Sequence, residues 1–194
     1  MLTKELAKAL DKYVAHAGVL MHDVSRDSRS KAQYVKALIN GWLAEAVVRE
    51  AILKKIFGRK RVKRVVKRYS VVNTNFMDKG DCIAYDGDKT LLVEIKSSLS
   101  MTGMSNPRGK GRCFGFKVNS ARLLQEEAKR TGMVPLVVWY IIKEGIFYIQ
   151  MPTYFAAMLK TPIVNRVEWG KQCYLFHIPP KSKWRKVNSL WTTS

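Results

Sequence analysis

The chain has 194 residues, 47% of them apolar, and sets 35 Lys and Arg against 15 Asp and Glu for a formal net charge of +20. That apolar share argues against disorder and supports one packed domain with additions. Nothing approaches the run of about 20 apolar residues that crosses a membrane. Three scattered cysteines, with no CxxC pair or His/Cys cluster, argue against a disulfide framework and against zinc or iron–sulfur. With an N-terminus unlike a signal peptide, this composition predicts an intracellular protein. Excess positive charge on this scale favours nucleic acid, because each phosphate neutralised by Lys or Arg releases condensed counterions.

Residues 2–17 read as a short amphipathic helix, and Ser28 or Ser30 as the N-cap of the next. Residues 31–57 form a long helical pattern stopped by Gly58, with an apolar face through Val35, Ile39, Trp42, Ala46, Leu53 and Ile56. The β-branched, strongly basic segment 59–76 predicts one or two strands, and "GDCIAYDGDKTLLVEIKSS", residues 80–98, a β-hairpin. A Gly/Ser/Pro/Lys loop covers 99–112. "CFGFKV" is a strand, and the helix after it is capped by Asn119 or Ser120 and stopped by Gly132. "VPLVVWYII" predicts a strand buried on both faces, "GIFYIQM" its partner and "PTYFAAMLK" a short helix. The apolar "CYLFHI" and the basic, aromatic "KSKWRKVNSLW" close the chain. The expected fold is mixed α/β with a central sheet, divided into an N-terminal helical extension (1–30), a core (31–160) and a C-terminal strand and basic tail packed on that core (161–194).

The hairpin carries the chemistry. Its Asp-Gly turn predicts either a two-residue loop at Gly87 and Asp88 or a four-residue loop in the same register, with opposed residues summing to 175. Asp81 then lies across from Glu94, and alternation puts Lys96 on the face of Glu94. A three-residue loop would turn Asp81 to the other face. Opposed carboxylates destabilise a sheet unless something compensates, and a divalent cation held by oxygen ligands would do so. Mg²⁺ suits one or two carboxylates plus substrate phosphate, and Lys96 could serve the attacking water and the developing phosphorane charge. In a basic protein this predicts metal-assisted phosphodiester hydrolysis. The plain alternative is a surface hairpin with a solvated charged face.

Asp81, a spacer, then Glu94-Ile95-Lys96 resembles the D…(D/E)xK signature of the PD-(D/E)XK nuclease superfamily, with Gly80 where that family often has Pro. The preceding "GWLAE" helix (41–45), the basic segment and the "E-x-K-S" followed by a loop are most similar to archaeal-type Holliday junction resolvases, over about residues 31–155. The resemblance implies a restriction-endonuclease-like core and a structure-selective endonuclease. Asp81, Glu94 and the Ile95 backbone carbonyl would hold Mg²⁺, with Mn²⁺ able to substitute. Lys96 would serve the water, and Glu45, four residues after Gly41, would be the helix glutamate, with Glu50 as its rival. Ser97 matches the polar residue after the lysine, while Gln125 lies later than the family's helix glutamine. The implied partners are branched or four-way-junction DNA and a second copy in a homodimer, with no membrane. Other nucleases of the fold, or a non-catalytic DNA-binding relative, are the alternatives. Candidate phosphate contacts are Arg59, Lys60, Arg61, Lys63 and Arg64 in the basic segment, Arg108, Lys110 and Arg112 in the loop, and Lys117 at the next strand's end.

Overall fold

The computed structural model describes residues 31–64, 80–105, 111–166 and 171–187. The helix expected at 2–17, the cap at Ser28 or Ser30, most of the basic segment, and Arg108 and Lys110 lie outside the described residues.

The helix expected over 31–57 forms, but not with one pitch. α1 (Lys31–Val47) passes into a π-helical stretch (Val48–Leu53), where the Lys54 amide bonds the Arg49 carbonyl, and ends in one α-helical turn, α2 (Lys54–Phe57). Gly58 then stops it at a φ of 94°. A widened turn inserts one residue into the helical count, which rotates the buried stripe by about 100°. The buried positions are Ala44 in α1 and Val48, Ile52 and Leu53 in the widened stretch. The expected face through Trp42, Ala46 and Ile56 is corrected: the first two are half-buried and Ile56 is exposed.

The segment after Gly58 makes a 3₁₀ turn (Arg59–Arg61) and a three-residue strand, β1 (Val62–Arg64). The hairpin strands are β2 (Cys82–Asp86) and β3 (Lys89–Ser98). β4 (Met104–Ser105), β5 (Arg112–Lys117), α3 (Val118–Thr131), β6 (Val134–Ile141), β7 (Ile146–Gln150) and α4 (Pro152–Leu159) follow. β8 (Val164–Arg166), β9 (Lys171–His177) and β10 (Arg185–Lys186) complete the described elements. The central sheet has the order β1-β2-β3-β6-β7-β10; β3 and β6 are parallel and every other pair antiparallel. A second, antiparallel sheet runs β4-β5-β9-β8, so "CYLFHI" pairs with "CFGFKV". This is the expected mixed α/β class, a central mixed sheet flanked by helices.

Alternation along β3 divides the core. Leu91, Val93 and Ile95 face Ala44, Val48, Ile52 and Leu53 of the first helical segment. Leu92 belongs to the opposite cluster, with Trp139 of β6, Phe116 of β5, Phe176 of β9, Leu124 of α3 and Phe155 of α4. Trp139 is the centre of that layer: it stacks on Phe176 at 4.6 Å and on Phe114 at 5.4 Å. Its indole N–H donates to Gln150 Oε1 at 2.9 Å, and the Gln150 Nε2 reaches Met158 Sδ at 3.9 Å. The expected cap of α3 is also corrected. β5 runs straight into the helix through Lys117, without a side-chain cap, and Ser120 is buried in the first turn. Gly132 ends α3 in the left-handed conformation, as expected. Among the described residues no helix is long and apolar enough to cross a membrane.

Candidate active site

The Asp-Gly signal produces the two-residue turn: Asp86 pairs with Lys89, and the sum of 175 holds back to Cys82 opposite Val93. There it breaks. The Asp81 amide donates to the Val93 carbonyl at 2.8 Å, so Asp81 and Cys82 share one partner, in the manner of a β-bulge. The expectation that Asp81 pairs directly with Glu94 is corrected accordingly. Instead, Asp81 Oδ2 accepts the backbone N–H of Ile95 at 2.7 Å. A side-chain carboxylate thus takes the place of the strand carbonyl that β2 no longer supplies. Gly80 permits this bend, with a φ of 83° and too little room for a Cβ beside Leu92.

β3 continues past the end of β2 alongside β6, placing Glu94 beside Val137 and Lys96 beside Trp139. Glu94 is 3% and Asp81 6% exposed, values that would be costly for unsupported carboxylates. Lys96 Nζ lies 2.5 Å from Glu94 Oε1. The same ammonium sits 4.7 Å from the Phe116 ring centroid, an attractive cation–π placement. Phe116 therefore supports the lysine from below, a role invisible in the hairpin sequence because β5 arrives from the second sheet.

The two helix glutamates occupy different surroundings. Glu50 is half exposed and paired with Arg49 at 2.8 Å and Lys54 at 2.5 Å. Its partial burial pushes its pKa up, but hydrogen bonds and charge from Lys54 and Arg49 outweigh this and leave it below the usual value. Glu45 is half-buried and close enough to Cys82 to act on its thiol. Burial, with Asp81 and Glu45 adding their charges against Arg49 and Arg64, pushes the Cys82 thiol up to about 12. Lys96 projects toward Phe116 of β5, with Glu94 beside it.

Among the described residues no three His, Cys, Asp or Glu side chains converge as a metal cage. The donors the hairpin does offer are two buried carboxylates and backbone carbonyls, oxygen only. That set fits Mg²⁺, which keeps several waters and uses one or two carboxylates, better than it fits a softer metal.

Ser97 is exposed, and Ser98 donates to the Ser100 carbonyl at 2.9 Å. Beyond them lies an open cleft of about 270 Å³ walled by Ser97, Ser98, Thr102, Phe114 and Trp139. Gln125 is half-buried on α3. Arg59, Lys60, Arg61, Lys63 and Arg64 are all exposed at the β1 edge, where Lys63 lies 5.5 Å from the Tyr85 ring centroid. Arg112 is exposed too, and its Nε donates to the Thr102 carbonyl, tying the base of the loop. Lys117 is exposed where β5 meets α3. Cys82, Cys113 and Cys173 are buried and none is in a disulfide.

No family model matches the chain, and no curated protein does. Among solved structures it is similar to Archaeoglobus fulgidus Hjc, a Holliday junction resolvase from an archaeal hyperthermophile, at 15% identity and a TM-score of 0.43, over 69% of this chain and 88% of that one.

Proposed function

We propose that this chain is a Mg²⁺-dependent, structure-selective DNA endonuclease of the Holliday junction resolvase type, acting as a homodimer. The observation that carries this reading is one strand end holding the buried Glu94, its Lys96 partner and the neighbouring Asp81 in a protein of net charge +20. A fold with no chemistry to do would gain nothing from burying two carboxylates at the end of one hairpin, since apolar residues of similar volume are commonly at least as stable.

Asp81, Glu94 and the Ile95 carbonyl would hold the cation, which when bound supplies charge stabilisation at a phosphoryl oxygen. The Ile95 amide fixes the Asp81 carboxylate. Lys96, seated over Phe116, holds its ammonium beside Glu94, where it can orient a water and meet negative charge growing on the phosphate. Glu45, whose charge reaches Cys82 next to Asp81, is the better helix carboxylate of the two, since Glu50 is engaged by two cations at the surface. The cations of residues 59–64, with Arg108, Lys110, Arg112 and Lys117, would engage DNA phosphates. Two copies would supply the two cuts that a near-symmetric four-way junction requires.

The test incubates four-way junction, flap, nicked and linear duplex DNA with and without Mg²⁺, using wild type, Asp81→Asn and Glu94→Gln. The expected result is Mg²⁺-dependent cleavage of the junction by wild type alone. Wild type that binds but never cuts, or variants that cut as well as wild type, would overturn the catalytic reading. Equal cleavage of linear duplex would leave a nuclease and remove the resolvase.

A further inference from the structure

We propose that the cleft between the loop after β3 and the edge of β5 is a subsite for one unstacked nucleobase of the strand being cut, held near Lys96 and read by the backbone N–H and C=O of Gly115. This rests on the nuclease reading above and deepens it, because such a subsite selects DNA in which a base has already left its pair.

The cleft exists because a strand pairing stops. The Ile178 N–H donates to the Arg112 carbonyl, so Arg112, Phe114 and Phe116 turn their backbone groups toward β9, while Cys113 and Gly115 turn theirs toward β4. β4 supplies Ser105 opposite Arg112 and Met104 opposite Cys113, and goes no further. Continued by two residues, it would set Thr102 opposite Gly115. Instead the chain turns away at Gly103, which has a φ of 54° and no room for a Cβ beside the Cys113 carbonyl. The Thr102 carbonyl accepts from the Arg112 side chain. Among the described residues no backbone hydrogen bond from this loop reaches Gly115. Its N–H and C=O therefore face the cleft as an adjacent donor and acceptor, which complement the donors and acceptors along a base edge.

The walls suit a base. Leu99, Phe114 and Trp139 give an apolar lining, and Ser100 and Thr102 a hydroxyl rim. Leu99 is 48% exposed, apolar surface that a bound base would cover. Ser100 Oγ and Thr102 Oγ1 lie 2.8 Å apart; whichever donates, the other keeps its own hydrogen to offer. At about 270 Å³ the cleft falls just under the ~300–1,000 Å³ of small-molecule pockets, the scale of one base rather than a pair. The loop's start is fixed, since the Ser98 and Leu99 carbonyls accept from the Ile142 and Lys143 amides at 2.9 and 3.1 Å.

Register puts the cleft beside the candidate site, on the same face of the sheet. Trp139 is level with Lys96, and Ser98, also in the lining, shares the Lys96 face about 7 Å further along β3. Phe114 is two residues from Phe116, the ring beneath the Lys96 ammonium. A phosphate at Glu94 and Lys96 thus has the cleft within reach of its neighbouring base. Extruding a base from a duplex is costly, and least so for one that is already unpaired. The competing use of the hydroxyls is to satisfy the loop itself, as Ser98 does with the Ser100 carbonyl, leaving the cleft to water; that use requires no DNA.

The experiment measures fluorescence anisotropy, in EDTA, of a labelled duplex, of that duplex with one extra unpaired nucleotide, and of the bulged duplex with the unpaired base removed to leave an abasic site. Wild type should bind the bulged duplex about tenfold tighter than the full duplex, the order of one base's contacts, and lose most of that preference on the abasic DNA. Thr102→Trp, at an exposed position on the rim, fills the cleft and should bind all three alike. Lys129→Trp, exposed on α3, should keep the wild-type preference. Should Thr102→Trp lower the melting temperature, Ser100→Ala/Thr102→Val removes the hydroxyls without filling the cleft and should reduce the preference in the same direction. Equal affinity for bulged and abasic DNA, or an undiminished preference in the rim variants, overturns the base subsite while leaving the nuclease reading intact. Wild type that binds none of the three DNAs, and cuts no junction in Mg²⁺, overturns the nuclease reading itself.

Discussion

Asp81 and Ile95 are joined by a 2.7 Å hydrogen bond in which the carboxylate accepts a backbone N–H that its own strand leaves unpaired. The bond gives Asp81 a structural duty beside any chemical one, and substitutions separate the two. Asp81→Ala strands the buried Ile95 amide and should cost about 1–3 kcal/mol. Asp81→Asn retains an oxygen acceptor and should cost less, yet lose cleavage as fully as the alanine variant. Urea unfolding beside a cleavage assay checks this; equal stability losses for the two variants would dismiss the structural duty.

Glu94 and Lys96 should behave as a coupled pair. Lys96→Met keeps an apolar stem over Phe116 but leaves the nearly buried Glu94 without its ammonium, an expected loss of about 1–3 kcal/mol. Adding Glu94→Gln should recover part of that loss, because the stranded charge is gone. Both variants, and Glu94→Gln alone, should cleave ~100-fold slower or worse. A double-mutant cycle in urea at neutral pH measures the coupling, and strictly additive effects would show that the pair is not coupled.

Gly80 holds the bend that brings Asp81 to the strand end. At a φ of 83°, a Cβ there would lie 2.9 Å from Leu92 Cδ1 and 3.3 Å from the Val93 carbonyl. Gly80→Ala should destabilise by about 1–2 kcal/mol from the left-handed backbone alone, and slow cleavage by shifting Asp81. Gly80→Pro should be worse, since proline holds φ near −65°. Thermal melts and cleavage rates test the order; a proline variant as stable as wild type would refute this account of the bend.

Cys82 gives a pH signature. Its thiol sits at about 12 in the fold against an ordinary 9.0, so the folded chain favours the neutral form. The resulting stabilisation is complete below about pH 9 and is lost as pH rises toward 12, because the unfolded chain releases its proton first. Burial raises Tyr140 and Tyr148 in the same direction. The urea midpoint should therefore fall above pH 9, less steeply in Cys82→Ala. At pH 8 a thiol reagent should label Cys82 only after unfolding; rapid labelling of the native protein would contradict its burial.

Much of the fold was legible because local chemistry decided it. The Asp-Gly turn set the hairpin register down to Cys82, Gly58 and Gly132 stopped their helices, and an unbroken apolar run marked β6 as buried on both faces. Periodicity failed at the first helix, which loses its regular pitch in a π-helical turn that moves Ile56 off the buried stripe, and at Asp81, where a bulge broke the register by one residue. Both departures are single-residue events that a repeating pattern does not encode. The sequence by itself determined which residues carry charge and which strand bears Glu94 and Lys96. Only the tertiary structure decided what those charges meet. Phe116 lies under Lys96 because β5 belongs to a second sheet, and Glu50 is drawn to Arg49 and Lys54 while the charge of Glu45 reaches Cys82. Arg185 and Lys186 join the central sheet beside β7 because Trp184 is anchored in the core cluster. These contacts join residues far apart in the chain, and packing across layers, unlike turn chemistry or alternation, has no local signature.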